Sequence, residues 1–281
     1  MAERQDDKGR TCIFCGTRGK LSKEHLWPKW LQDVFEFPEP TSPHVRFMRE
    51  EGQGFEGDRW DMPGFEQRVT ATCKLCNERW MSDLEKASKP LLLPLVGGQS
   101  RVWVDPAAQA TLATWGVKTA MMAQFVYPKK RAIRDADHVW LYRNRSVPPD
   151  YRVWIGMRLQ EGGEWPAFFR HSALTVAPPG RELEEMDNPN AHRSTIGVGH
   201  CVLHVIGHYV EDGPVLDIEG TYQSAFARIW PTAEGIEWPP RVVLGMDAIR
   251  KLTPSLDEGG VDPEHLLAMP GHLSATSTQM G

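Results

Sequence analysis

Two Cys-x-x-Cys pairs constrain this chain more than any other feature of its sequence. The first pair is Cys12 and Cys15, and the second is Cys73 and Cys76. Four thiolates in paired spacing are the usual ligand set of a tetrahedral structural zinc site, whereas the alternative is a group of buried free thiols. We therefore predict that one structural zinc ion ties together two stretches that lie far apart in the chain.

The chain as a whole has the composition of a globular protein. Its 281 residues contain five cysteines, four of them in these pairs, which favours a reducing compartment and makes the cytoplasm the expected location. No apolar run reaches the length of about 18 residues that a membrane-spanning helix requires. The net charge of −5 does not itself indicate nucleic-acid binding, although basic residues are concentrated in the middle of the chain.

Glu24, His25 and Asn77 are the residues near these cysteines that carry chemistry. Adjacent residues of a strand point to opposite faces, so the Glu24 carboxylate could bind a metal ion while the His25 imidazole faces, for example, a water molecule. Asn77 directly follows the second cysteine pair, and its amide oxygen is a suitable ligand for Mg²⁺ or a similar hard cation. Taken alone, the Glu-His pair is weak evidence for a metal site, because an exposed His is more often an ordinary surface residue.

The combination of Cys-x-x-Cys, Glu-His-x-x-Pro and Cys-x-x-Cys-Asn resembles the zinc-bearing branch of the HNH endonuclease family, over residues 12 to about 89. The resemblance implies a ββα-metal fold and hydrolysis of phosphodiester bonds, with double-stranded DNA as the expected partner. It implies that Glu24 and Asn77 hold a catalytic Mg²⁺ or Mn²⁺ ion. It also implies that His25 is the general base that deprotonates water.

The sequence departs from the family pattern in one place. Residues 66–72 contain no Asn, although family members commonly use an Asn before the second knuckle to orient the His. Another group must then orient His25, and a backbone carbonyl of residues 69–72 is one candidate. The alternative to an active nuclease is therefore a zinc-stabilised module that binds nucleic acid or protein and whose nuclease site has decayed.

The domain plan that we predict is α+β throughout. We place a disordered lead at residues 1–9, the zinc-bearing HNH module at 10–98, an α+β domain at 99–254 and a flexible tail at 255–281. Short apolar runs bounded by Pro, Gly, Asn and Asp predict that the α+β domain is mainly an antiparallel sheet. Its role is not indicated by the sequence.

Within the first predicted domain, residues 38–67 are rich in Pro, Gly and Glu and favour a long irregular loop. Residues 67–72 favour a strand. We expect a helix from Asn77 to end before Pro90, and residues 91–98 to form a linker.

Within the second predicted domain, Asp105 and Pro106 are the expected N-cap and first residue of a long amphipathic helix, residues 106–126. Lys118 lies among the apolar residues of this helix, and we expect its ammonium to extend to solvent rather than to reach a phosphate. Val139–Tyr142 is one of several short apolar runs that we predict to be strands.

A basic run of four residues is the best candidate for contact with nucleic-acid phosphates, although a solvated loop explains it equally well. The run consists of Lys129, Lys130, Arg131 and Arg134.

Glu85 follows Asn77 on the same predicted helix and has two possible roles. It is either a third ligand of the catalytic cation or a salt-bridge partner of Arg79 or Lys89, and we favour the salt bridge.

His200, His204 and His208 recur every four residues, as metal ligands do on one face of a helix. The surrounding Val, Ile and Gly favour a strand instead. In a strand, His200 and His208 would lie about 27 Å apart, so we do not predict a metal site there.

Overall fold

The computed structural model is a mixed helix-and-strand protein with antiparallel sheets, as predicted. Residues 1–8 and 253–281 lie outside the described part of the chain, and so do most of the predicted lead and the whole predicted tail. The structure describes residues 9–35, 41–48, 56–63, 65–126, 131–160, 166–177, 180, 189–210, 216–218, 220–232 and 234–252.

Strands β1 (Leu21–His25) and β4 (Arg68–Cys73) form a two-stranded antiparallel sheet that carries the cysteine and Glu-His motifs. Leu21 pairs with Cys73 and His25 pairs with Arg68. A short 3-10 helix, Lys29–Asp33, follows β1 directly after Pro28. This sheet therefore brings the two predicted metal-binding stretches together.

The prediction of an irregular loop across residues 38–67 is wrong for two of its segments. β2 (Thr41–Met48) and β3 (Glu56–Pro63) form a long antiparallel hairpin. Prolines are tolerated there because both strands of a two-stranded sheet are edge strands.

The chain continues from β4 into one helical segment made of α1 (Lys74–Cys76), a π-helical turn (Asn77–Met81) and α2 (Ser82–Val96). The expected end before Pro90 and the expected linker at residues 91–98 are therefore wrong. Leu92, Leu95 and Val96 are buried, and their packing offsets the backbone hydrogen bonds that two internal prolines remove.

Helix α3 (Pro106–Ala123) begins after β5 (Val102–Val104), and a 3-10 turn (Gln124–Val126) follows it. The predicted N-cap is confirmed, since the Asp105 side chain accepts a hydrogen bond of 2.8 Å from the Ala108 amide. The helix is not amphipathic as predicted. Every residue from Leu112 to Ala123 is buried, because α3 packs between α2 and the main sheet.

The main sheet has five antiparallel strands in the order β10-β6-β9-β8-β7. The predicted antiparallel sheet is thereby confirmed. Its strands are β6 (Tyr151–Met157), β7 (Ala167–Leu174), β8 (Ala191–Val198), β9 (Cys201–His208) and β10 (Phe226–Trp230).

Three smaller elements surround the main sheet. α4 (Asp135–Asn144) replaces the strand predicted at Val139–Tyr142, because two Asp residues in its first turn stabilise a helix N-terminus. β11 (Ile236–Trp238) pairs with β5, and α5 (Met246–Leu252) is a short helix near the end of the described residues.

One hydrophobic core runs through both predicted domains. Phe14, Leu92, Val117 and Leu203 belong to the same buried cluster, so the cysteine segment, α2, α3 and the main sheet share it. The opposite face of the sheet is covered by a second cluster that includes Ile249 of α5. In the part of the chain that the structure describes, no helix has both the length and the apolar character to cross a membrane.

Candidate metal centre

The first cysteine pair lies in a tight turn formed by residues 11–18. The Cys12 amide donates a hydrogen bond of 3.0 Å to the Thr17 carbonyl, and the Gly16 amide donates one of 3.0 Å to the Cys12 carbonyl. Gly16 has a φ of 71°, a left-handed conformation that glycine adopts without a clash. The turn therefore directs both thiols of this pair to one side.

The second cysteine pair spans the junction of strand and helix. Cys73 is the last residue of β4, and Cys76 is the last residue of α1. The Ile13 amide donates a hydrogen bond of 3.1 Å to the Ala71 carbonyl, which fixes the first turn against β4. Backbone contacts thus bring the two pairs together.

The four cysteine sulfurs lie close enough together to hold a metal ion such as zinc, as predicted. All four Sγ atoms are within 4.8 Å of one another, and those of Cys15 and Cys73 are 3.6 Å apart. A tetrahedral zinc ion with Zn–S bonds of about 2.3 Å would place its sulfurs about 3.8 Å apart. Cys12 and Cys76 are buried, whereas Cys15 and Cys73 are half-buried.

The protonation of these thiols depends on their burial. Burial raises the pKa of Cys12 and of Cys76. Burial also opposes ionisation of Cys15, but hydrogen bonds with Thr17 and the neighbouring cysteines outweigh it and lower the Cys15 pKa to about 7. Zinc binds cysteine as thiolate, so a bound ion would supply the charge that these buried sulfurs need.

A β-bulge brings Glu24 into the protein interior. The register between β1 and β4 shifts between Ser22 and Glu24. In a regular strand Leu21 and Glu24 would face opposite sides, but the bulge turns both of them inward, to exposed fractions of 7% and 8%. Glu24 therefore faces the helical segment that follows the second cysteine pair.

The structure brings Glu24 and Asn77 together. The Asn77 side chain lies close enough to the Glu24 carboxylate to act on its pKa, and Asn77 begins the π-helical turn, a local geometry that is frequent at functional sites. Burial raises the pKa of Glu24 to about 7, against the opposing effects of the Lys118 charge and the Asn77 hydrogen bond. The Asn77 amide group acts on the carboxylate through its N–H, and its oxygen is the atom that could join Glu24 in holding a hard cation.

Lys118 and Glu85 complete the surroundings of Glu24. The Lys118 ammonium donates a hydrogen bond of 3.0 Å to Glu85 Oε1, and only 1% of the Lys118 side chain is exposed. Lys118 therefore does not extend to solvent as predicted, because α2 and the main sheet enclose its helix. Glu85 does form a salt bridge, but its partner is Lys118 rather than Arg79 or Lys89.

His25 faces a different set of side chains. His25 Nε2 lies 3.3 Å from Glu66 Oε2, and Arg68 Nε donates a hydrogen bond of 3.0 Å to the same nitrogen. Arg68 Nη2 also donates one of 2.7 Å to Glu66 Oε2. Within the described residues, the side chains of Glu66 and Arg68, near the start of β4, make the hydrogen bonds to the His25 ring, and no backbone carbonyl of residues 69–72 does.

The two contacts of His25 Nε2 require opposite protonation. Glu66 can bond to this nitrogen only when it carries a proton, whereas Arg68 needs its lone pair. A proton on Nε2 would leave Nδ1 as the basic nitrogen. The proton position on His25 is therefore determined by the competition between Glu66 and Arg68.

The predicted phosphate contacts are only partly described. Lys129 and Lys130 lie outside the described residues. Arg131 is exposed, with its guanidinium 5.4 Å from the centre of the Phe125 ring. Arg134 donates hydrogen bonds of 2.8 Å to Asp137 and 2.7 Å to Asp150, so two carboxylates already occupy its guanidinium.

Two of the three spaced histidines lie in a strand, as predicted, whereas His200 lies in the turn before it. His204 and His208 belong to β9, and His200 precedes the strand. His204 is buried and lies 2.8 Å from Thr195 Oγ1 through its Nδ1. Among the described residues, the four cysteines are the one group of at least three His, Cys, Asp or Glu side chains that is close enough to hold a metal ion.

The sequence did not predict the contacts of Glu66 and Arg68 with His25, and Lys118 was misjudged. A usable signal existed for Lys118, which is the one charged residue in the buried stretch from Leu112 to Ala123. No family model, curated protein or solved structure matches this chain.

Proposed function

We propose that this chain is a metal-dependent endonuclease of the HNH type that hydrolyses phosphodiester bonds in nucleic acid, with double-stranded DNA as the first substrate to test. The observation that carries the proposal is the buried Glu24 carboxylate beside the side chain of Asn77, the residue that directly follows Cys76 of the four-cysteine cluster. The antiparallel pair β1 and β4 followed by a helix also supports it, because this order is the one that the HNH resemblance implies.

Each residue has a distinct role in the proposed reaction. Glu24 and Asn77 would hold Mg²⁺ or Mn²⁺, which supplies Lewis acidity to neutralise charge on a scissile phosphate. His25 accepts a proton from the attacking water as general base. Glu66 stabilises the imidazolium that forms, in the way that a carboxylate supports a catalytic histidine. The four cysteines would hold a structural zinc that fixes β1, β4 and the helix.

The test is cleavage of supercoiled plasmid by zinc-loaded protein with added Mg²⁺ or Mn²⁺. We expect nicking that His25→Ala abolishes, while the variant keeps its zinc and its circular dichroism spectrum. Lys23→Ala is the matched control, because Lys23 is an exposed neighbour on the same strand. Equal nicking by His25→Ala and wild-type protein would contradict the proposal.

A second candidate function is a zinc-stabilised binding module without cleavage. The observation that favours it is the Arg68 hydrogen bond to His25 Nε2, which occupies a lone pair that a general base could use. Duplex binding that weakens steeply with salt, without nicking in any divalent metal, would select this candidate.

A further inference from the structure

Lys118 occupies an unusual position for a charged residue. Helix α3 is buried without interruption from Leu112 to Ala123, and Lys118 is the one charged side chain in that stretch. Placing an ammonium in the interior is unfavourable unless it is paired with a carboxylate. Lys118 therefore requires a carboxylate partner close to its position on α3.

The partner of Lys118 lies at the candidate cation site. Lys118 Nζ is 3.0 Å from Glu85 Oε1, and Glu85 lies on α2, the helix that continues from the turn containing Asn77. The charges of Lys118 and Glu85 both act on the buried Glu24 carboxylate. Two carboxylates, one amide and one ammonium thus share one region between β1, α2 and α3.

The hydrogen bonding of Lys118 is incomplete. An ammonium has three donors, but within the described residues Lys118 makes one hydrogen bond, to Glu85. Buried donors are rarely left without acceptors. We therefore expect further oxygen atoms to accept hydrogen bonds from the Lys118 ammonium, either from water or from groups that also bind a cation.

Stability alone is a weak reason for this ion pair. Replacing a buried salt bridge by apolar residues of similar volume is often neutral or stabilising, because desolvation of both charges opposes their attraction. A Lys118→Met substitution would fill the same space without the desolvation cost of a buried charge. The pair is more readily explained by a need for the Glu85 carboxylate at a fixed place.

We propose that Glu85 is a third oxygen ligand of the cation that the proposed function places on Glu24 and Asn77, and that Lys118 is the positioning residue that holds its carboxylate. This inference rests on the proposed function. Mg²⁺ and Mn²⁺ require several oxygen ligands, and a second carboxylate raises the affinity of such a site. Helix α3 belongs to the second predicted domain, residues 99–254. Its Lys118 would then complete a cation site whose ligands all come from the first predicted domain, residues 10–98.

The test is Mn²⁺ binding by zinc-loaded protein, followed by electron paramagnetic resonance, with Mn²⁺ alone as the probe. The double variant Glu85→Gln/Lys118→Met removes both charges while keeping both shapes. We expect its Kd for Mn²⁺ to be at least tenfold higher than that of the wild type. Glu78→Gln is the matched control, since Glu78 is an exposed acid near Asn77 that pairs with Lys74, and its Kd should not change.

The variant Glu24→Gln distinguishes the role of Glu85 from the existence of the cation site. If Glu24→Gln weakens Mn²⁺ binding and the double variant does not, the role of Glu85 is overturned and the proposed cation site stands. If the wild type binds no Mn²⁺ beyond the cysteine cluster, the proposed cation site fails, and the role of Glu85 fails with it.

A second measurement uses the wild-type chain alone. It tests whether Glu85 binds the cation even if the double variant does not fold. Anomalous diffraction from Mn²⁺-soaked crystals of the wild-type chain would locate the ion. A Glu85 oxygen in its coordination sphere is the expected result. An ion bound to Glu24 and Asn77, with Glu85 bonded only to Lys118, would overturn the inference.

Discussion

At the scale of single residues, the contact between His25 and Glu66 decides how the proposed base is held. Glu66 Oε2 lies 3.3 Å from His25 Nε2, and Gln32 donates a hydrogen bond of 3.1 Å to the other oxygen of the same carboxylate. Hydrogen bonds with the side chains of Gln32 and Arg68 keep the pKa of Glu66 below its usual range. Glu66 is therefore a fixed negative charge beside the imidazole.

Removing that charge should slow cleavage. We expect Glu66→Gln to lower the single-turnover nicking rate about tenfold, because the carboxylate stabilises the imidazolium that His25 becomes on taking a proton. Asp83→Asn, at an exposed acid on α2, is the control. An unchanged rate in Glu66→Gln would show that Glu66 has no role in the reaction.

The sequence identified the residues whose chemistry is local and missed those whose partners are distant. The four-cysteine cluster was predictable because the spacing of two Cys-x-x-Cys pairs defines a zinc ligand set, whereas the metal role of Glu24 and Asn77 stays a prediction. Glu66 was not, because it meets His25 only through the pairing of β1 with β4. Lys118 was misjudged, because burial on all sides of α3 depends on tertiary packing that periodicity does not encode.

At the scale of elements, the cysteine cluster lies where the turn of residues 11–18, the end of β4 and the start of the helical segment meet. We expect Cys73→Ala to lose the bound zinc and to expose the amides of residues 11–18 to hydrogen exchange. The reason is that structural zinc contributes about 10–16 kcal/mol to folding in small zinc-finger peptides. Zinc content by mass spectrometry and hydrogen exchange are the measurements.

The fifth cysteine provides the control for this prediction. Cys201 is buried in β9 and is not part of the cysteine cluster. Cys201→Ala should therefore keep one zinc per chain and normal protection of residues 11–18. A Cys73→Ala protein with full zinc content and unchanged exchange would contradict the four-cysteine site.

The contact of α3 with the main sheet depends on a glycine. A Cβ on Gly116 would lie 3.1 Å from Leu203 Cδ1, closer than ordinary packing allows. We expect Gly116→Val to lower the free energy of unfolding by about 1–3 kcal/mol through overpacking, measured by urea denaturation. Gly245→Val is the control, because a Cβ on Gly245 meets nothing within 4 Å. Equal stability of the two variants would contradict the packing at Gly116.

Two predictions of secondary structure from local sequence patterns differ from the structure. Proline usually ends a helix, yet α2 passes through Pro90 and Pro94 because Leu92 and Leu95 pack into the core. The apolar run at Val139–Tyr142 satisfied a strand pattern, but acidic residues at the start of α4 favoured a helix. Tertiary packing and end charges, which act beyond a short window of sequence, explain both differences.

At the scale of the whole molecule, three buried histidines make stability depend on pH. Burial lowers the pKa of His138 to about 4, that of His204 to about 3 and that of His192 well below its ordinary value. All three have exposed fractions of 1% or less, so they are held neutral in the folded protein. The unfolded chain has ordinary histidines and takes up protons at a higher pH.

The free energy of unfolding falls at acidic pH because the unfolded chain binds protons at these histidines more readily than the folded protein does. Because the folded pKa values lie below the unfolded value of about 6.5, the stabilisation is complete above that pH and is lost as pH falls toward 4. Between pH 6.5 and pH 5, each such histidine should lower the free energy of unfolding by about 2 kcal/mol. Urea denaturation at about pH 7.5 and pH 5 measures the loss.

The variant His204→Gln separates this effect from acid release of zinc, which acts equally on both proteins. Removing one titrating histidine should reduce the loss of stability between the two pH values by about 2 kcal/mol, even if the variant is less stable at both. An identical loss in the variant and the wild type would show that His204 is not held neutral by burial. The main sheet would then be more open to water around β8 and β9 than the structure describes.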